Sequence, residues 1–166
     1  MTLATQACLL DRQPRELDPK LIAPIANVRN FIKPDGGLWT STYLGLPAIS
    51  EWVCWARAEE PAWARGGLYL LEPAADSRIY TIDEYADLAH LMSRYPSPSR
   101  NLDPDFMLAT PDFERMALDY DALHLSVSGQ QATQWGDHYK LIWDCESTLW
   151  FRWSFSKVQK LMDVSE

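Results

Sequence analysis

Eight tryptophans in a chain of 166 residues set the first constraint on its fold. Trp39, Trp52, Trp55, Trp63, Trp135, Trp143, Trp150 and Trp153 each carry a large ring that gains by leaving water, and an N–H that then needs a partner. A chain of this length suits one domain and can bury about 70% of its unfolded surface, enough to house most of these rings without a staple. Rings left over from the core can line a pocket for a flat ligand. Hydrophobic residues at 47% and charged residues at 23% place the chain among ordinary globular domains rather than disordered ones.

Short patterns of both periods alternate along the chain. Residues 1–24 hold Pro14, Pro19 and Pro24 and read as an N-terminal arm, irregular except for a short helical turn, ahead of a single domain over 25–166. Residues 26–33 alternate as a strand, Pro34-Asp35-Gly36-Gly37 is turn chemistry, and residues 38–43 are aromatic and β-branched, as a second strand would be. Ser50 is placed to cap a helix over 51–59, and Pro61 follows it. Strands are expected at 68–73 and 78–82, a helix from an Asp83 cap through Met92, and a loop over 96–105. A short helix follows Pro111 and a strand runs over 121–126, with a polar loop at 128–139. A strong strand is expected over 141–151 and a closing helix capped by Ser156. Because the elements are interspersed without regular βαβ spacing, the expected class is α+β, with small mixed or antiparallel sheets and flanking helices.

The formal net charge of −8 disfavours a surface built to neutralise phosphates or anionic lipid, and aids solubility. Cys8, Cys54 and Cys145 are odd in number and far apart, with no CxxC pair, which speaks against a disulfide framework and for a reducing, cytoplasmic compartment. The first residues lack the layout of a secretory signal, and no stretch nears the roughly 18 apolar residues of a membrane span.

Two regions carry candidate chemistry. On a strand over 141–151, period two would put Leu141, Trp143, Cys145, Leu149 and Phe151 on an apolar face and Asp144, Glu146, Thr148 and Arg152 on the other. Two neighbouring carboxylates on such a strand are either an exposed pair balanced by Arg152 or a catalytic acid pair. The segment 33–43 combines Gly36-Gly37, which lets backbone approach a ligand, with the hydroxyls of Thr40, Ser41 and Thr42 and the nearby cations Arg29 and Lys33. That set suits a phosphate or pyrophosphate as well as a plain polar hairpin. The chain has no GxxxxGK[ST], GxGxxG or GxSxG, and His90, His124 and His138 show no triad order or metal-ligand spacing.

A basic residue on an early strand, a Thr/Ser element on the next and a late acidic-x-Glu strand together resemble the ADP-ribosyltransferase family. The close spacing of the first two elements is similar to the compact RES-type toxins, which also consume NAD. The resemblance implies a split β-sandwich and NAD as co-substrate. It implies Glu146 as the catalytic acid, Asp144 two before it, Arg29 or Lys33 holding NAD, and Trp39-Thr40-Ser41-Thr42 as the Ser/Thr element of the nicotinamide pocket. A stacking ring would come from Trp39, Tyr43 or Trp150. The acceptor would be a protein, a nucleic acid, a small molecule or water. Asp144 stands where that family has Glu or Gln. Two other readings stay open at this point. One is a non-catalytic acidic module that binds a partner protein. The other is a two-carboxylate glycosidase, which a single strand serves poorly because such enzymes set their acids on opposite sides of the bond.

Overall fold

The computed structural model describes residues 3–10, 16–28, 32–97, 110–135 and 138–164. Arg29, most of the expected loop at 96–105 and the middle of the expected strand at 26–33 lie outside the described residues.

The architecture is α+β. Helices α1 (Glu51–Glu59), α2 (Tyr85–Arg94), α3 (Phe113–Asp119) and α4 (Val127–Gln134) flank an eight-stranded sheet. Its strands are β1 (Gln6–Leu10), β2 (Ala23–Ala26), β3 (Asp35–Thr42), β4 (Gly66–Pro73), β5 (Ile79–Ile82), β6 (Ala122–Leu125), β7 (Ser147–Trp150) and β8 (Phe155–Val164). The order is β5-β6-β7-β3-β1-β4-β8, with β2 also paired to β3. Every pairing is antiparallel except β5 with β6.

Strand β3 joins the two wings of the sheet by changing partners along its length. Leu38, Trp39 and Thr40 pair with Trp150, Leu149 and Thr148 of β7, whereas Ser41 and Thr42 pair with Ala7 and Gln6 of β1. Strand alternation then sorts the side chains. One face carries Ala7, Leu68, Leu123, Leu125 and Leu149 and is covered by helices. Val53 and Ala56 of α1 pack over the β1–β4–β8 wing, and Leu88, Leu91 and Met92 of α2 over the β5–β6–β7 wing. The other face carries Cys8, Leu38, Tyr69, Leu71, Ala122 and Trp150 under Leu17, Trp153 and Phe155.

The local signals explain several elements directly. Ser50 Oγ accepts the Val53 N–H at 3.2 Å and starts α1, and Asp112 accepts the Arg115 N–H at 3.1 Å and starts α3. Helix α2 begins with a capping box between Glu84 and Asp87 rather than at an Asp83 cap.

Five expectations are corrected. Residues 6–10 are not part of an irregular arm but form β1, between β3 and β4, although a 3-10 turn at Pro19–Leu21 supplies the expected helical turn. Gly36 and Gly37 lie within β3 rather than in a hairpin turn, at φ of 79° and 70°. A Cβ on Gly36 would meet the Pro24 carbonyl oxygen at 2.1 Å, and one on Gly37 the Trp150 carbonyl oxygen at 2.7 Å, so glycine lets β2 and β7 close on this strand. The polar stretch after Ser126 is helix α4, because Ser126 Oγ caps the Gly129 N–H at 3.1 Å. The strand expected over 141–151 is ladder-paired only at Ser147–Trp150. The closing segment is β8 rather than a helix, drawn out along the full length of β4.

Cys8 and Cys145 are buried free thiols and Cys54 is an exposed one. Among the described residues no helix is long and apolar enough to cross a membrane.

Helix α4 sits so close to the end of β5 that a Cβ at Gly129 would lie 1.9 Å from the Ile82 carbonyl oxygen. Gly129→Ala should therefore cost about 1–3 kcal/mol, read from urea unfolding midpoints. Wild-type stability in that variant would contradict the close approach.

Candidate functional site

The change of partners in β3 leaves a gap, and Glu146 fills it. Continuing the β3–β7 register past Thr40–Thr148 would set Thr42 opposite Glu146. The Thr42 N–H instead donates to the Glu146 carboxylate, at 3.0 Å to Oε2 and 3.2 Å to Oε1. Thr42 Oγ1 donates to Oε1 at 2.9 Å and Ser41 Oγ to Oε2 at 2.5 Å. Glu146 is 4% exposed, and with this many donors its burial is satisfied. Ser41 Oγ in turn accepts the Trp52 N–H at 3.3 Å, so the positive end of α1 reaches the carboxylate through one hydroxyl.

A polar belt runs from Glu146 across the sheet on the face away from the helices. Gln6 Oε1 accepts from Thr40 Oγ1 and from Thr148 Oγ1, both at 2.9 Å. Gln6 Nε2 donates to the Ala4 carbonyl at 3.0 Å and to Thr42 Oγ1 at 3.3 Å. Trp150 Nε1 donates to Thr40 Oγ1 at 2.9 Å. Thr148 spends its own proton on Gln6, so it accepts from His124 Nδ1 at 2.8 Å, which places the imidazole proton on Nδ1. That nitrogen is 3.6 Å from Glu146 Oε1. Burial pulls the His124 pKa below its ordinary value, partly offset by the carboxylates of Glu146 and Asp83.

On the helix face, beside Glu146, lies a cavity of about 330 Å³, at the small end of the roughly 300–1,000 Å³ typical of ligand pockets. Its walls include Ala7 and Leu9 of β1, Trp39 and Ser41 of β3, Trp52 and Val53 of α1, Leu68 of β4, and Trp143 and Ser147 from the late segment. Trp39 and Trp143 meet edge to face with centroids 4.8 Å apart. Lys33 also lines the cavity, pairing with Asp144 at 2.7 Å and standing 5.7 Å from the Trp39 ring centroid. Both members of that pair are partly exposed, so it contributes at most about 1 kcal/mol and yields readily to a competing ligand charge. Cys145 lines the cavity too, but burial, then Glu146 and Asp144, raise its thiol pKa to about 11, which removes it as a nucleophile at neutral pH. Trp143 is 3% exposed, and its Nε1 is the buried side-chain donor left without a partner among the described residues.

The expected site residues thus separate by role. Lys33, Trp39, Thr40, Ser41 and Asp144 line one cavity, whereas Glu146 is not among the cavity residues and is linked to it through the Ser41 hydroxyl. The Thr40 hydroxyl itself turns to Gln6 and Trp150 on the opposite face. Tyr43 packs against the cluster around Val53 and Ala56 and is not among the cavity residues, and Trp150 is fully buried in the belt, beyond reach of a ligand there. Arg29 lies outside the described residues. Asp144 and Glu146 do not alternate along a paired strand. The segment before β7 exposes Asp144 and buries Glu146. Gln6, Trp52, Trp143 and Ser147 were not expected as site residues. Gln6 carried no signal, since its partners come from the far end of the chain, but the capped helix start at Ser50 pointed to a backbone N–H at Trp52. Among the described residues no group of His, Cys, Asp and Glu could hold a metal ion.

Comparison with family models, curated proteins and solved structures finds no match to this chain.

Two tests follow from this geometry. Gln6→Leu strips Thr40 and Thr148 of their buried acceptor and should cost about 2–3 kcal/mol in urea unfolding, since each orphaned buried group costs about 1–3 kcal/mol. A neutral Gln6→Leu would show that the belt does not hold the wings together. The second test concerns pH. Because burial holds the folded pKa of His124 below the ordinary histidine value of about 6.5, the unfolded chain takes up the proton first as pH falls. The stability advantage of wild type over His124→Gln should therefore be full above about pH 7.5 and shrink as pH drops below about 6.5. An advantage unchanged down to about pH 5 would contradict a neutral, buried His124.

Proposed function

We propose that this protein is an ADP-ribosyltransferase-like enzyme that binds NAD in the tryptophan-lined cavity, cleaves the nicotinamide–ribose bond and passes ADP-ribose to a protein, a nucleic acid or water. The observation that supports this reading is the hydrogen bonding of Glu146 by Ser41 and Thr42, which ties the late acid to Ser41, a residue of the cavity wall.

The chemistry suits that arrangement. As the bond breaks, its electron pair goes to the nicotinamide nitrogen and positive charge develops on the ribose. A fixed carboxylate close by, in surroundings of low dielectric, favours that charge more in the transition state than in the ground state. Ser41, Thr42 and the start of α1 hold Glu146 so that little reorganisation is needed. Lys33 is the cation available to a phosphate, which would draw it from Asp144. The rings of Trp39, Trp52 and Trp143 offer apolar surface to the departing base. The cavity is small for a whole dinucleotide, so the nicotinamide end is the part it would enclose. The burial of Glu146 favours an enzyme over an acidic binding module, since an acid meant to meet a partner protein would be displayed on the surface. The three free cysteines suit a reducing, cytoplasmic setting for such an enzyme.

Glu146→Gln keeps the shape of the side chain and one acceptor oxygen. It should lower nicotinamide release from NAD by about 100-fold or more, with circular dichroism showing a folded protein. Full turnover in a folded Glu146→Gln variant would remove the assignment.

A further inference from the structure

The Lys33 ammonium rests in surroundings suited to a cation. It pairs with the Asp144 carboxylate at 2.7 Å and stands 5.7 Å from the centroid of the Trp39 ring, within the range over which an indole face attracts positive charge. Lys33, Asp144 and Trp39 all line the cavity, and the side chains of the ion pair are 33% and 43% exposed, so a ligand arriving from solvent meets them directly. The charges around this point do not balance. Lys33 is the cation among the lining residues and Asp144 answers it, while the Glu146 carboxylate lies one hydrogen bond behind Ser41 and adds a second negative charge. Cys145, on the cavity wall, senses the imbalance. Burial is the main cause of its raised thiol pKa and the Ser147 hydrogen bond opposes it; among the charges, Glu146 and Asp144 each outweigh Lys33. An anion entering here would meet a lysine already matched and two carboxylates. A cation would meet the carboxylates and an indole face.

A lysine of the chain itself is a poor occupant of that place. Its ammonium is compact and strongly hydrated, and it brings no ring to cover the half-buried Trp39 and Trp52. A flat aromatic cation spreads its charge, sheds water more readily and buries apolar surface against Trp39, Trp52 and Leu9. We infer that the cavity is a binding site for a planar aromatic cation, whose charge takes over Asp144 and the Trp39 face from Lys33. The inference deepens the proposed NAD reading and rests on it only in naming the natural ligand: the nicotinamide ring of NAD is a pyridinium cation, and it loses that charge when the bond to ribose breaks. Asp144 then acts on the binding of the ring rather than on its cleavage, and the neutral product is held less firmly than the substrate. Lys33, once displaced, is left for the phosphate.

The test uses the full chain and three probes of nearly one size: 1-methylnicotinamide, a cation; nicotinamide, which is neutral; and nicotinate, an anion. Affinities are measured by titration calorimetry near neutral pH and at low salt. Wild type should bind 1-methylnicotinamide about three- to tenfold more tightly than nicotinamide, and nicotinate least tightly. Asp144→Asn should weaken the cation by about three- to tenfold and leave nicotinamide within about twofold. Lys33→Met removes the competitor and should tighten the cation by about two- to fivefold. Nicotinamide or nicotinate binding as tightly as the cation, no binding of the cation, an unchanged cation affinity in Asp144→Asn, or one that falls or stays the same in Lys33→Met would each overturn the inference. The wild-type ranking needs no variant, so it decides the matter even where a variant does not fold. NAD turnover is read separately: turnover without a preference for the cation overturns this inference alone, whereas the expected ranking without turnover overturns the enzyme reading alone.

Discussion

The backbone N–H of Thr42 has no strand to bond to, and the carboxylate of Glu146 takes it. That substitution holds the two wings of the sheet together where β3 leaves β7 for β1. A backbone partner there would continue the ladder and close the gap. A side chain of lower polarity would leave a buried donor unmet, at a cost of about 1–3 kcal/mol. A carboxylate is the side chain with enough acceptor capacity to take two hydroxyls and an N–H at one point. The local demand of the fold and the chemistry proposed for the site thus fall on the same residue.

Around that point the two faces of the sheet do different work. The belt of Gln6, Thr40, Thr148, Trp150 and His124 is closed upon itself, each donor matched to an acceptor, and it fixes register across four strands. The opposite face is less complete. There the helices leave room beside Ser41, the Lys33–Asp144 pair is held only weakly, and an indole donor is unmatched. A saturated network behind and an unsaturated cavity in front is the arrangement a rigid binding site requires, since positioning groups are only as precise as what supports them.

Much of this was legible in the sequence where the signal was local. Ser50 before Trp52 and Val53 marked the start of α1 correctly because capping is settled within four residues, and the short helix expected after Pro111 is α3. The burial of Leu141, Trp143 and Cys145 with exposure of Ile142 and Asp144 follows the period of two read from the sequence, although no ladder forms there. The pattern reports which side faces the core, not whether a neighbour is present to bond. Glu146 departs from it because the gap in β3, 104 and 105 positions away at Thr42 and Ser41, supplies donors that only tertiary structure can bring. Strand β8 was hidden for a related reason. Val158, Leu161 and Met162 recur at helical spacing, and pairing with β4 overrides that preference. Helix α4, in which Val127 and Ala132 are the apolar members among Gly, Ser, Thr and Gln, lacks an apolar stripe and is held by its cap and by packing against the end of β5.

The place of β1 has a consequence for how the chain reaches this state. The first strand lies inside the sheet, and its Gln6 bonds Thr148, 142 positions away, while the last strand seals the far edge along β4. Strand β1 has both of its neighbours, β3 and β4, by residue 73, but the Gln6 side chain gains its Thr148 partner only when β7 joins β3. Closing such distant contacts carries its entropy cost before any reward, so assembly is slow and late-committed. The polar belt closes only when early and late segments meet, and the cavity takes part of its wall, Trp143 to Cys145 and Ser147, from that same meeting.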